Sequence, residues 1–121
     1  MAIIVDTSKG VLGAFAPTKV ALATSGDTLT YRAGAGQELL LYNSSASTVV
    51  VTIDGSLGTT IPVTGAGAST LDVSAGLAIS VLANSYAVVR LDTIPAYCQG
   101  VAGSVAISAA TGAVVMASII V

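Results

Sequence analysis

Short segments that alternate inward-facing apolar residues with outward-facing ones dominate this chain, and this period of two constrains its fold most. Between Thr48 and Asp54, for example, Val49, Val51 and Ile53 share one face. A strand with one buried face has this pattern because successive side chains point to opposite faces of a sheet. The same alternation recurs in several other segments, so the sequence predicts an all-β fold.

Turn-forming residues separate these segments. Clusters of Gly, Ser, Asn and Asp recur roughly every 8–12 residues, a spacing typical of a β-sandwich or barrel. The candidate strands are Ile3–Val5, Val20–Thr24, Thr28–Ala33, Glu38–Asn43, Thr48–Asp54, Thr59–Val63, Ser69–Val73, Leu77–Ala83, Tyr86–Asp92, Gly103–Ala109 and Ala113–Val121. No window has the pattern of a capped amphipathic helix. We therefore expect a single β-sandwich of about eight to ten short strands.

Some of these strands are apolar on both faces. In Glu38–Asn43, Leu40 and Tyr42 lie opposite Leu39 and Leu41. A two-layer sandwich buries only one face of each strand. The surplus face is therefore predicted to contact an arm, a loop or a neighbouring subunit.

Tyrosines on such a face are candidate contact residues, because a tyrosine buries a large area and carries a polar tip. Tyr42 and Tyr86 both fall on predicted outer faces, and we expect them to lie at an interface. The alternative is that each tyrosine caps an edge of the sandwich.

The first 19 residues alternate weakly and contain two glycines and a proline. They are predicted to form an extended N-terminal arm (residues 1–19) in front of a sandwich domain (residues 20–121). The arm would dock its apolar residues against a neighbour's open strand edge by strand addition. Those predicted interface residues are Ile3, Ile4 and Val5.

The alternative is that Ile3–Val5 pairs within its own sheet. The two interpretations differ in what a deletion of residues 1–19 does. An arm could be removed without unfolding the domain, and assembly would weaken. A core strand could not be removed without loss of the fold.

The chain is poor in charge, at 8% against roughly 25% in an average soluble domain. Its four basic residues are dispersed, so it lacks the basic patch of a nucleic-acid-binding protein. Exposed apolar surface marks interaction sites. We therefore expect partners to cover part of the surface, and a homo-oligomer, with a trimer favoured over a dimer.

The residue types argue against catalysis. The chain has no His, which excludes a Ser–His–acid triad, a Cys–His pair and a His-based zinc site. Cys98 has no second cysteine to pair with and is predicted to be a small buried hydrophobe. The six acidic residues are dispersed and form no calcium-loop motif. The sequence thus predicts a protein that is not an enzyme and that uses no metal or cofactor.

Residues 93–121 carry no charge, and within them Val101–Val121 is long enough to cross a bilayer. Gly, Ser and Thr interrupt them, and they lack the basic flank that orients a membrane helix. Thr111 and Gly112 instead predict a turn between two strands. We therefore expect no membrane span.

Two stretches carry a resemblance to a known family. Residues 36–55 read GQELLLYNSSASTVVVTIDG, and residues 103–115 read GSVAISAATGAVV. The chain resembles the small β-sandwich decoration, or cement, proteins of tailed-bacteriophage capsids over residues 28–121. The shared plan is a strand ending in Asn, a Ser-rich turn, a Val/Thr strand, a Gly/Pro-rich middle and a C-terminal hairpin.

The resemblance implies a jelly-roll-like sandwich that oligomerises on the capsid exterior and clamps neighbouring subunits of the major capsid protein. Such a protein would be made in the host cytoplasm and reside in the virion. The alternatives are another virion part, such as a tail or fibre protein, a carbohydrate-binding or adhesin sandwich, and a membrane-associated protein. A sugar site would normally expose aromatic residues, and the absence of Trp counts against it.

Overall fold

The computed structural model describes residues 2–8, 16–55, 60–62, 70–72 and 75–121, and it confirms the all-β fold. Twelve strands lie in these residues: β1 (Ile3–Ile4), β2 (Asp6–Thr7), β3 (Val20–Ala21), β4 (Asp27–Thr30), β5 (Glu38–Asn43), β6 (Val49–Asp54), β7 (Thr60–Pro62), β8 (Thr70–Asp72), β9 (Leu77–Val81), β10 (Tyr86–Arg90), β11 (Ser104–Ala109) and β12 (Val115–Ile120). Three short 3-10 turns, at Leu91–Thr93, Pro95–Tyr97 and Val101–Gly103, join β10 to β11. In the described ranges no helix is long and apolar enough to span a membrane.

The strands form two five-stranded sheets, as expected for a sandwich. The first sheet has the order β1-β4-β11-β6-β9. The second has the order β10-β5-β12, and both β2 and β3 pair with the far side of β12. Strands β7 and β8 form a separate two-stranded sheet. The two main sheets are mixed, because β1 runs parallel to β4 and β2 runs parallel to β12.

The inner faces of both sheets share one hydrophobic cluster, and period two places its members there. Val49, Val51 and Ile53 on β6 are all buried, as their alternation predicts. Cys98 is also buried, which confirms its role as a small hydrophobe. Other buried members are Ile4, Leu22, Leu29, Leu39, Leu41, Val81, Leu91, Val105, Ile107, Ala109, Val115, Ala117 and Ile119.

From β3 to β6 and from β9 to β12, successive strands alternate between the two main sheets, and this corrects one expectation. The predicted turn at Thr111 and Gly112 is present, with the next residue, Ala113, at a φ of 65°. However, β11 belongs to the first sheet and β12 to the second, so they do not form the expected C-terminal hairpin. Both strands carry buried residues on one face, and an arch between the layers lets both bury them against the other sheet.

The N-terminal residues differ from the predicted arm. Ile3 and Ile4 pair with Thr28 and Leu29 of the same chain, and Ile4 is 1% exposed in the core. The interpretation of residues 2–8 as an arm that docks Ile4 on a neighbour is therefore wrong, and the own-sheet alternative is the observed one. Residues 9–15 of the predicted arm lie outside the described residues.

A second strand in this segment, Asp6–Thr7, was not predicted. It pairs with Ile119 and Ile120 at the far end of the chain. A polar pair gives no alternation signal, and its partner lies more than a hundred residues away in sequence. The pairing depends on tertiary contacts that local pattern does not reveal.

A buried carboxylate anchors the start of the chain. Asp27 accepts hydrogen bonds from the backbone N–H of Ala2 at 3.1 Å and of Ala23 at 2.7 Å. It therefore joins the first residues to the turn before β4. Asp6 adds a second anchor through its ion pair with Arg32 and its hydrogen bonds with the buried amide of Gln37.

Adjacent isoleucines test the corrected role of the N-terminal strand. We expect Ile4→Ala to lower the free energy of unfolding by about 2–5 kcal/mol, because it leaves a cavity in the core. Ile3→Ala is the matched control, since Ile3 is 58% exposed and its change should stay within about 0.5 kcal/mol. Urea unfolding of both variants measures the difference. Equal effects would contradict the placement of Ile4 in the core.

Candidate interaction surface

The outer face of the second sheet carries a contiguous apolar patch. We define the tyrosine face as Leu40 and Tyr42 on β5, Tyr86 and Val88 on β10, and Met116 on β12. Tyr86 and Val88 are 67% and 58% exposed, whereas the other three are half-buried. Single exposed apolar side chains are normal, but a contiguous group of them marks an interaction site.

Strand register explains why these residues meet. Tyr86 lies opposite Tyr42, and Tyr42 lies opposite Met116, so the three form one row across the sheet. Val88 and Leu40 form the next row. The alternate residues of β5, Leu39 and Leu41, point inward and fill the core. The patch exists because the outward residues of β5 are apolar as well.

The two tyrosine rings contact each other directly. Their centroids lie 4.6 Å apart with an interplanar angle of 37°. Cross-strand aromatic pairs of this kind stabilise a sheet and hold both rings in place. Because Tyr42 supports Tyr86 from the neighbouring strand, the exposed ring is pre-ordered for a partner.

A cleft of about 350 Å³ adjoins the tyrosine pair. Its lining combines Pro17 and Lys19, from the segment before β3, with residues of the second sheet: Leu40, Tyr42, Tyr86, Met116 and Ser118. Among these lining residues, Lys19 carries the one charge.

Charges occupy one end of this face. Arg90 lies opposite Glu38 in the register of β10 and β5, one row beyond Val88. The five residues of the tyrosine face include no Asp, Glu, Lys or Arg. Binding there would therefore be driven by apolar burial, with charges at the rim.

Of the five predicted interface residues, the structure brings together Tyr42 and Tyr86. Ile3 and Ile4 lie in the first sheet, and Ile4 is buried. Val5 is 51% exposed between β1 and β2. Val88 was not predicted, although the alternation of Ala87, Val88 and Val89 places it on the same outer face as Tyr86.

A second, shallower cleft of about 700 Å³ lies beside the 3-10 turns, lined by Tyr31, Ala33, Pro95, Cys98, Gln99, Gly100 and Gly103. Burial, and secondarily the charge of Asp92, raises the pKa of the Cys98 thiol to about 11. The thiol is therefore protonated at neutral pH and is not activated as a nucleophile.

Across the described ranges, no three Cys, Asp or Glu residues lie close enough to hold a metal ion.

Asp92 orders the loop beside this second cleft. Its carboxylate accepts hydrogen bonds from the N–H groups of Gly34 (2.9 Å) and Gly36 (3.2 Å) and from the hydroxyl of Tyr31 (3.0 Å). The Gly34 hydrogen bond, followed by that of Tyr31, lowers the pKa of Asp92. Burial, followed by the hydrogen bond to Asp92, raises the pKa of Tyr31.

Comparisons with protein-family models, with curated proteins and with solved structures gave no match to this chain. The interpretation of the tyrosine face therefore depends on its own geometry and on the residues that carry the resemblance.

The Asp92 hydrogen bonds predict how stability depends on pH. The pKa of Asp92 is lower in the folded chain than in the unfolded chain. The ionised carboxylate therefore stabilises the fold fully above the unfolded pKa of about 3.9, and this stabilisation is lost as the pH falls through the lower, folded pKa. We expect Asp92→Asn to lower the melting temperature at pH 7. The gap to the parent chain should shrink below about pH 4.

Thermal unfolding between pH 2 and pH 7 measures this gap. Tyr31→Phe is the control, because it removes one donor and leaves both backbone N–H donors in place. Its effect should be smaller than that of Asp92→Asn at pH 7. A gap that is independent of pH would show that the carboxylate charge is not what orders the loop.

Proposed function

We propose that this chain is a non-enzymatic virion structural protein, a decoration or cement protein of a tailed-bacteriophage capsid. The observation that carries the proposal is the tyrosine face, a pre-ordered apolar and aromatic patch on a rigid sandwich. The patch binds the outer surface of the major capsid protein, and repeated copies bridge adjoining coat subunits to stabilise the head.

The energetics of the patch fit a protein that works in many copies. Burial of one large apolar side chain contributes about 1.5–3 kcal/mol, and Tyr86 and Val88 are the two members with most area left to bury. Association also costs translational and side-chain freedom. A single copy thus binds modestly, and linked copies gain strength by avidity.

The rest of the chain supports the same proposal. A charge content of 8% suits a protein whose surface is covered by partners. The alternation of β3 to β6 and of β9 to β12 between the two main sheets supports a jelly-roll-like arrangement as part of this proposal. The proposal therefore includes that arrangement, a homo-oligomer, and a location on the capsid exterior after synthesis in the host cytoplasm. A tail or fibre protein would present the same kind of surface to a different virion partner.

A carbohydrate-binding sandwich is the second candidate, favoured by one observation. The Tyr42–Tyr86 pair lies beside a cleft that Lys19 and Ser118 also line, and a sugar ring needs an aromatic surface with polar groups nearby. Against it, the two rings are tilted by 37°, so they do not form a flat stacking platform. Binding of the chain to an array of glycans, abolished by Tyr86→Ala, would favour this candidate.

Particle binding tests the leading proposal. We expect the chain in purified particles of the phage that encodes it, with electron microscopy locating it on the outer capsid surface. Added to undecorated heads, Tyr86→Ala should bind at least about tenfold more weakly than the parent, because it removes an exposed aromatic anchor.

Val50→Ala is the matched control, since Val50 is exposed on the outer face of the first sheet. It should bind heads as the parent does. Absence of the chain from the particles, or equal loss of binding in both variants, would refute the proposal.

A further inference from the structure

The outer edge of β10 is an unpaired strand edge. Strand β10 pairs with β5 on one side, and none of the described strands pairs with its other side. It is five residues long, as is β9 at the edge of the first sheet, whereas β1, β2 and β3, at the opposite ends of the sheets, have two residues each. Short edge strands resist pairing with other chains, and long flat ones invite it.

Hydrogen bonds on the inner side identify which peptide groups point outward. The N–H of Asn43 donates to the carbonyl of Ser85 at 2.9 Å, and the N–H of Leu91 donates to the carbonyl of Gln37 at 3.0 Å. In an antiparallel pair, every second residue of a strand bonds to the neighbouring strand, and the peptide groups of the residues between them point to the other side. The odd-numbered residues of β10 therefore bond to β5, and the peptide groups of Tyr86, Val88 and Arg90 point to the open edge.

The edge lacks the features that protect strand edges. It has no proline, and its sole charged residue, Arg90, lies at the end. The carbonyl of Arg90 accepts a hydrogen bond from the Thr93 hydroxyl at 2.6 Å, which satisfies one outward group. Ala87 and Val89 point inward and pack on the core, yet they remain half-exposed. A neighbouring strand would complete their burial.

We propose that this edge binds a second copy of the chain, with the two β10 strands antiparallel around a two-fold axis at Val88. This register sets Val88 opposite Val88 and sets Tyr86 of each copy opposite Arg90 of the other. The outward N–H and carbonyl groups of these three residues can then all bond across the axis, because Tyr86, Val88 and Arg90 face one another, and the Arg90 carbonyl would accept a second hydrogen bond beside that of Thr93.

The sequence of the edge is complementary to itself in this register, which identifies the occupant. A two-fold interface uses the same patch on both copies, so each end of the strand must suit the other end. Here the cationic end, Arg90, meets the aromatic end, Tyr86, and a guanidinium over a tyrosine ring is a favourable pair. In the same register the apolar Val88 meets itself on the axis.

The consequence is one continuous sheet from two five-stranded sheets. Both tyrosine faces would then lie on the same side of the dimer and present two copies of the patch to one surface. The dimer does not depend on the proposed capsid role, and it would replace the expected trimer as the primary assembly.

Sedimentation of the purified full chain tests the proposal. We expect a dimer at about 10–100 μM, and we expect Val88→Lys to weaken dimerisation at least about tenfold, because two lysines would meet on the axis. Val50→Lys makes the same change at an exposed valine of the first sheet and should dimerise as the parent does. Circular dichroism and thermal unfolding establish that both variants are folded.

A cysteine at the axis tests the register. Opposed residues of a hydrogen-bonded antiparallel pair have Cα atoms about 5.5 Å apart, within the range of a disulfide. In a Cys98→Ser background, Val88→Cys should give an oxidised covalent dimer, whereas Leu82→Cys, at an equally exposed position in the turn before β10, should give little. Equal yields would overturn the register.

Two results would overturn the whole proposal. One is dimerisation of Val88→Lys at the parental strength. The other is a parent chain that stays monomeric while Val88→Lys loses binding to heads, which would assign the edge to a strand of the capsid protein. If the dimer behaves as expected and the chain is absent from particles, the proposed function fails and the dimer stands.

Discussion

The N-terminal segment contributes a strand to each sheet, and the closure of the sandwich depends on this double pairing. Strand β1 extends the first sheet beside β4, and one residue later β2 joins the second sheet beside β12. The buried Asp27 carboxylate and the Asp6–Arg32 ion pair hold the segment in place. One end of the sandwich is thus closed by a chain segment that crosses between the layers and brings Ile4 into the core.

At the opposite end the chain makes a similar crossing, but it leaves longer edges. Strands β9 and β10 are consecutive, belong to different sheets and have five residues each. The short strands at one end and the longer, weakly charged strands at the other make the molecule asymmetric. In the dimer proposed above, association would use the β10 edge, which lies beside the tyrosine face.

Buried polar groups determine the connections between layers. Asn43, which is fully buried, donates to the carbonyls of Ser47 (2.7 Å) and Val81 (3.0 Å) and accepts from the N–H and hydroxyl of Ser45. These bonds shape the Ser-rich turn after β5 and join it to β9 in the other sheet. An unsatisfied amide there would be costly, so the Asn and the turn after it are a structural unit.

Alternation along the chain was sufficient to predict the all-β fold, the inward residues of β6 and β11, and the outward position of Tyr42 and Tyr86. It was sufficient because the side-chain period of a strand is a local property. It could not predict the pairing of Asp6–Thr7 with β12, the separation of β11 and β12 into different sheets, or the core position of Ile4. Those features depend on which strands lie side by side, and strand order is decided by contacts between residues far apart in sequence. The tyrosine face depends on both local sequence and tertiary structure. The period of two along each strand places each ring outward, and only the register between β10 and β5 brings the two rings together.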